Sequence, residues 1–303
     1  MQTPTWHEQA VVFDCEGCRL IGIVTQPETQ SEHGVVIVVG GPQYRAGSHR
    51  QFTLLARNLA EQGIPSLRFD YRGMGDSEGE FRNFEEIHAD IHAAIDVLVA
   101  QIPRLSHVAL WGLCDAASAA LYYGHTDTRV SDVILLNPWV HHEALAAKTR
   151  LKYYYLTRLL QRSFWTKLLA GGVGLRNSLG DLHKSVKSAA SSEINDSGSV
   201  TMANPRHGSQ TYLKRMLEGL KLFRGKVLFI LSGNDLVAQE FITLSRQDSR
   251  WEKICASPTI TTKRLDAANH TFSSQSWRDQ VGEWTIEQIN KNANSPDQKE
   301  RTQ

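Results

Sequence analysis

Hydrophobic positions follow two alternating rhythms along the chain. "GVVIVVGG" (34–41) is an unbroken, β-branched apolar run, the pattern of a strand buried on both faces. "HRQFTLLARNLAEQG" (49–63) follows, with apolar residues three and four apart and Gly63 to stop it, which predicts a helix. The pair recurs. "IPSLRFDYRG" (64–73) reads as a strand, and "NFEEIHADIHAAIDVLVAQI" (83–102) as an amphipathic helix with acidic residues in its first turn, where the helix dipole favours them. "HVALWGLC" (107–114) is a strand, "AASAALYYG" a helix and "VSDVILLNPWV" (130–140) a strand. Ahead of them all, two strand-like runs flank "CEGC" in residues 10–27 and predict a β-hairpin. Strands and helices alternating over short links imply crossover units, hence a mostly parallel sheet with helices on both faces. The rhythm breaks after residue 140. It resumes with "GKVLFILSGND" (225–235), a helix near 237–250, the strand "TITTKRLDAANH" (259–270) and a helix around 276–291. The predicted class is therefore α/β, with a core of 1–140 and 225–303, a helical cap or lid over 141–224 and a polar tail at 292–303.

Composition narrows this little. The 303 residues are 41% hydrophobic and 21% charged, ordinary for a globular protein, and the net charge of +1 gives no argument for a nucleic-acid partner. No run reaches the roughly 18 apolar residues of a membrane span. "MQTPTWHEQA" lacks the basic-then-apolar pattern of a secretory signal, and four cysteines are too few for a disulfide scaffold. The expected location is a reducing cytoplasm. Charge is unevenly spread, however. Residues 141–224 hold fourteen Lys and Arg against five Asp and Glu, so the insertion carries +9 and the remainder −8.

The chemistry gathers at strand ends. In a parallel sheet with crossover helices, reacting groups sit beyond the carboxyl ends of the strands. Cys114 falls there, at the corner between "HVALWGLC" and "AASAALYYG", with the small residues Gly112 and Ala116 two positions to either side. A sharp strand-to-helix turn needs small residues there, because strand and helix nearly touch. A thiol beside an imidazole and a helix N-terminus is expected to have a lowered pKa. A nucleophile of this kind needs a base, and the base an orienting carboxylate. Asp235 follows the strand ending in "SGND", and His270 follows the one ending in "AANH", in the chain order nucleophile, acid, base. Asp266 is the rival acid, while "LLNPWV" offers no carboxylate. For the oxyanion, one backbone N–H should come from Asp115. The other should come from "GGPQYRAG", where Pro42 has no N–H, so Gln43 is the candidate with Gly41 behind it. Each of these residues also has a plainer reading: a buried structural cysteine, a turn aspartate, a loop histidine, a tight glycine loop.

Taken together, "VVGGPQYRAGSHRQF", "RFDYRGMGDSEG", "GLCDA", "SGNDL" and "ANHTF" resemble the α/β-hydrolase superfamily over nearly the whole chain. A cysteine at the elbow is similar to dienelactone hydrolases and polyhydroxyalkanoate synthases. The combination of "GGPQYRAGSHRQF", "FDYRGMGDSEG" and "WGLCDAAS" looks closest to the type 1 exosortase A system-associated hydrolases. The resemblance implies an α/β-hydrolase fold and a setting near exopolysaccharide and PEP-CTERM protein-sorting systems, without fixing a substrate. Two departures stand out: Ala116 replaces the usual glycine, and the oxyanion loop lacks the common His-Gly.

The expected activity is acyl chemistry by Cys114, His270 and Asp235 on an ester, thioester or lactone. It ends in hydrolysis or in transfer to another acceptor, and it needs no cofactor or metal. A non-catalytic ligand-binding or scaffold protein on the same fold is the alternative. The basic insertion, Arg150, Lys152 and Arg158 among its charges, has three readings: steering of an anionic acyl substrate, small or lipid-linked, contact with an anionic membrane face through "RLKYYYLTRLLQRSFWTKLL", or a solvated surface. A single C-x-x-C on a hairpin (Cys15, Cys18) is a weak redox or metal signal, and Cys255 has no partner motif.

Overall fold

The computed structural model describes residues 6–41, 43–140 and 209–293. Among these residues eight strands form one sheet in the order β1-β2-β4-β3-β5-β6-β7-β8. β1 (Trp6–Cys15) and β2 (Cys18–Pro27) make the predicted hairpin. Glu16 and Gly17 turn it with φ of 51° and 79°, the two positive values of a tight turn that matches the strands' twist. Cys15 and Cys18 face each other across it as free thiols. β2 lies antiparallel to β4 (Ser66–Asp70). From there β3 (His33–Val38), β5 (His107–Leu113), β6 (Val130–Leu136), β7 (Lys226–Ser232) and β8 (Ile260–Leu265) continue in parallel. β3 is buried at every position, and β5, β6 and β7 at nearly every one, as their apolar runs require once helices cover both faces.

The α-helices among the described residues are α1 (Gln51–Glu61), α2 (His88–Gln101), α3 (Asp115–Tyr123), α4 (Ser209–Leu222), α5 (Leu236–Gln247), α6 (Ser249–Cys255) and α7 (Gln275–Ala293). α1 packs on α7, and α2 and α4 flank α3. Three boundaries differ from the sequence reading. The helix expected from residue 83 starts at His88, because Asn83 closes a turn first: its side chain accepts the Glu85 N–H and its carbonyl the Glu86 N–H. That leaves Asp90 as the acidic residue of the first turn. It is buried against the Arg72 guanidinium at 2.8 Å rather than exposed to complement a dipole. The helix near 237–250 is two, since Asp248 ends α5 and caps α6 by accepting the Arg250 N–H. Helix α4, read from the sequence as the end of the insertion, packs into the core through Tyr212, Met216 and Leu220, with the Tyr122 hydroxyl donating to the Tyr212 carbonyl.

Residues 141–208 of the expected insertion, including Arg150, Lys152 and Arg158, lie outside the described residues, as does the tail from 294. No helix among the described residues is long and apolar enough to cross a membrane.

Candidate active site

β5 runs straight into α3, and Cys114 is the residue between them, with φ 63° and ψ −121°. A non-glycine residue seldom adopts a positive φ, and here the surroundings impose it. The Cys114 N–H donates to the Leu136 carbonyl at the end of β6, and its carbonyl accepts from Ser118 and Trp139 N–H groups. Strand and helix are in contact: a Cβ on Gly112 would lie 2.6 Å from the Ala116 carbonyl group. Ala116, the departure from glycine, is accommodated by Gly40. A Cβ at Gly40 would stand 3.0 Å from the Ala116 methyl and 2.4 Å from an Asp115 oxygen.

β7 and β8 supply the other two groups. Asp235 follows β7 and caps α5, its Oδ2 accepting the Ala238 N–H at 3.0 Å. The same oxygen lies 2.9 Å from His270 Nδ1. A carboxylate only accepts, so Nδ1 carries the proton and Nε2 is left as the base. Asp235 is largely buried and His270 one-third exposed. Asp266, the rival acid, is 83% exposed and pairs with Arg264 instead. The structure thus joins Asp235 to His270 and holds Cys114 at the elbow. Among the described residues no hydrogen bond links the Cys114 thiol to His270.

The expected lowering of the thiol pKa is overturned. Burial pushes the Cys114 thiol well above its ordinary value, the Asp115 and Asp235 charges push the same way, and only the Asp115 backbone N–H opposes them. The expectation counted the imidazole and the helix end but not two carboxylates and a dry site.

At the oxyanion loop, the Gln43 N–H is turned back on the Gly40 carbonyl (3.4 Å). The Gly41 N–H is the one aimed at the elbow, and it already has an acceptor. It donates to Asp115 Oδ1 at 2.8 Å and Oδ2 at 3.0 Å, and the Ala116 N–H donates to Oδ1 at 2.9 Å. The sequence pointed to Asp115 only for its backbone. Its side chain carried a signal nonetheless, an acidic residue at the first position of a helix beside a glycine loop.

Two further groups lay unread. Asn137, in the "LLNPWV" set aside for lack of a carboxylate, takes φ 43°. It accepts the Ser232 N–H at 2.8 Å and donates to Ser232 Oγ (2.8 Å) and the His270 carbonyl (3.0 Å). Leu136 meanwhile holds the elbow, so the end of β6 and the residue after it brace both halves of the site. The "RFDYRGMGDSEG" motif braces the oxyanion loop. Buried Asp70 accepts the Arg45 N–H at 2.6 Å and the Asp76 N–H at 3.2 Å, and pairs with the Arg45 guanidinium. A cavity of about 430 Å³ lined by Trp6, Trp111 and Phe272 lies against α1 and α7 and includes none of Cys114, Asp235 or His270. No group of three or more metal-ligating side chains occurs among the described residues.

The family model for serine aminopeptidase S33 matches residues 30–272, from before β3 to the loop after His270. Among solved structures, the Pyrococcus furiosus esterase Pf2001 superposes with a TM-score of 0.59 at 14% identity, covering 94% of each chain. Est1E from Butyrivibrio proteoclasticus, bound to ferulic acid, gives 0.58 at 14% identity over 93% of this chain and all of that one. DcsB in complex with its substrate analogue gives 0.58 at 18%, over 94% of this chain and all of that one. No curated protein sequence matches the chain. Likenesses at this identity establish the α/β-hydrolase fold.

Proposed function

The chain belongs to the serine aminopeptidase S33 family, and from that premise we propose that it is an esterase-like acyl hydrolase or acyltransferase whose nucleophile is Cys114 in place of serine. The observation that carries the reading is the elbow geometry: a buried Cys114 at φ 63° before α3, with the Asp235–His270 pair at 2.9 Å delivered by the next strand ends in the required chain order.

In the proposed reaction, His270 Nε2 takes the thiol proton while Asp235 holds the imidazole in the Nδ1–H tautomer. The thiolate sulfur bonds to the acyl carbon, and the carbonyl π pair moves onto oxygen, towards the Gly41 and Asp115 N–H groups. As the tetrahedral species collapses, the bond to the leaving group breaks, and that group departs with the proton from His270. Water, or another acceptor, then cleaves the thioester by the same steps. Esters, thioesters and lactones all fit. The +9 insertion supports an anionic acyl substrate, and the sequence resemblance supports an exopolysaccharide or exosortase setting.

The test is adduct mapping with p-nitrophenyl acetate. Acetylation of Cys114, abolished in Cys114→Ala and slowed on the order of 10³-fold or more in His270→Ala, is the expected result. Acetylation confined to other residues overturns it. One observation favours the alternative of a non-catalytic binding protein: a side chain already occupies the Gly41 N–H. Absence of any Cys114 adduct would decide for that alternative.

A further inference from the structure

Asp115 follows the nucleophile, and its carboxyl is buried in the corner where the oxyanion has to form. Gly41 donates to both of its oxygens and Ala116 to one, all within 3.0 Å. These are main-chain donors of the oxyanion loop and of the first turn of α3, a site suited to a small anion. Gly40 has no side chain where one would strike Asp115 Oδ1, so the backbone is shaped around this carboxyl. A charged carboxylate here and a developing oxyanion would compete for the same N–H groups and repel each other.

We propose that the Asp115 carboxylate is the resting occupant of the oxyanion pocket, and that acyl chemistry at Cys114 proceeds only when this carboxyl is neutral. The second half rests on the acyl reading above. A neutral carboxyl keeps the Ala116 hydrogen bond through Oδ1, gives up the Gly41 N–H and presents O–H from Oδ2 to the oxyanion. The proton stays on the carboxyl throughout, so the reaction's balance is unchanged. Burial and a poorly solvated site favour the neutral form and raise the Asp115 pKa from 3.8 to about 6, against the pull of the Gly41, Ala116 and Asp115 N–H groups and of His270. The titratable groups around it are Cys114 just after β5, His270 after β8 and Tyr71 after β4, with Asp235 acting on the Cys114 thiol. Arg45, on the same loop as Gly41, is committed to Asp70 and Asp76.

The experiment compares two reactions of one thiol. Alkylation by iodoacetamide makes no oxyanion, whereas acylation by p-nitrophenyl acetate does. From about pH 5 to about pH 8, the ratio of Asp115→Asn to wild-type rate should rise roughly tenfold or more for acylation and several-fold less for alkylation, the size expected when one hydrogen bond to the oxyanion is made or broken. Equal ratios for the two reactions, or a ratio independent of pH, would overturn the proposal. A second arm needs no catalysis. In Asp115→Ala, added acetate should refill the cradle and slow Cys114 alkylation, while chloride at equal ionic strength should not, and wild type should respond to neither. Failure of acetate to slow the alanine variant sinks the occupancy. Absence of acylation in every variant, with acetate protection intact, sinks the acyl reading and leaves the occupied cradle standing.

Discussion

Asn137 contributes no chemistry, yet it holds the His270 backbone. Replacing it by alanine strands the Ser232 N–H and frees the His270 carbonyl. A buried donor left without its acceptor costs about 1–3 kcal/mol. The loss of stability should show as a lower urea midpoint, and the loss of positioning as slower Cys114 acylation and alkylation alike, since His270 takes the thiol proton in both. Unchanged rates of both reactions would mean that His270 keeps its place without Asn137. Asp115 makes a prediction about pH. Its folded pKa of about 6 lies above the ordinary 3.8, so the folded state binds the proton more tightly than the unfolded one. Stability therefore falls as pH rises from about 4 to about 6 and stays lower above that. Asp115→Asn should remove the penalty, adding about 3 kcal/mol at neutral pH and little at about pH 4. Thermal melts of both proteins across that range decide it.

At the level of elements, β5 and α3 are in close contact beside the nucleophile. Gly112→Ala places a methyl 2.6 Å from the Ala116 backbone, and neither element can yield without disturbing Cys114. Overpacking of this kind costs about 1–3 kcal/mol, read as a shift in denaturation midpoint, and should lower acylation as well. The β3–β5 pairing carries a pH response of opposite sign. His33 and His107 are register partners with rings stacked at 4.7 Å. Burial, and then the neighbouring His107, lower the His33 pKa from 6.5 to about 4. The unfolded chain therefore binds the proton first. The pair's stability is present above about pH 6.5 and is lost as pH falls towards 4, on the order of 2 kcal/mol. Replacing His33 with glutamine should flatten that acid limb. Between pH 4 and 6 this slope opposes that of Asp115, so only single variants separate the two.

For the whole molecule the open quantity is charge: +9 on residues 141–224 against −8 elsewhere. If that field steers an anionic acyl substrate, it acts on encounter, and screening shortens its reach from about 8 Å at 0.15 M salt to about 3 Å at 1 M. Rising salt should lower kcat/KM for a CoA thioester and leave a small neutral ester nearly unchanged. Changing Arg150, Lys152 and Arg158 to glutamine should mimic high salt at low salt. Identical salt responses of the two substrates would reduce the insertion's charge to a solvated surface.

The sequence by itself determined the sheet, because a strand buried on both faces has to be apolar throughout and a covering helix has to repeat its apolar residues every three to four positions. It also pointed to the residues beyond the strand ends: Cys114 follows β5 directly, and Asp235 and His270 stand three and five residues past the ends of β7 and β8. Helix starts were less legible. Asn83 and Asp248 redirect the backbone through side-chain hydrogen bonds that a hydrophobic rhythm does not record. What only the tertiary structure decided are the contacts between distant segments. Asn137 meets Ser232 and His270 across 95 and 133 residues of chain, and Asp115 meets Gly41 across 74. The fold also buries Cys114 and sets the Asp115 and Asp235 charges near it, which reverses the expected direction of the thiol pKa. The ionisation of a buried group depends on which charges and donors the fold brings near it, and linear spacing does not contain that information.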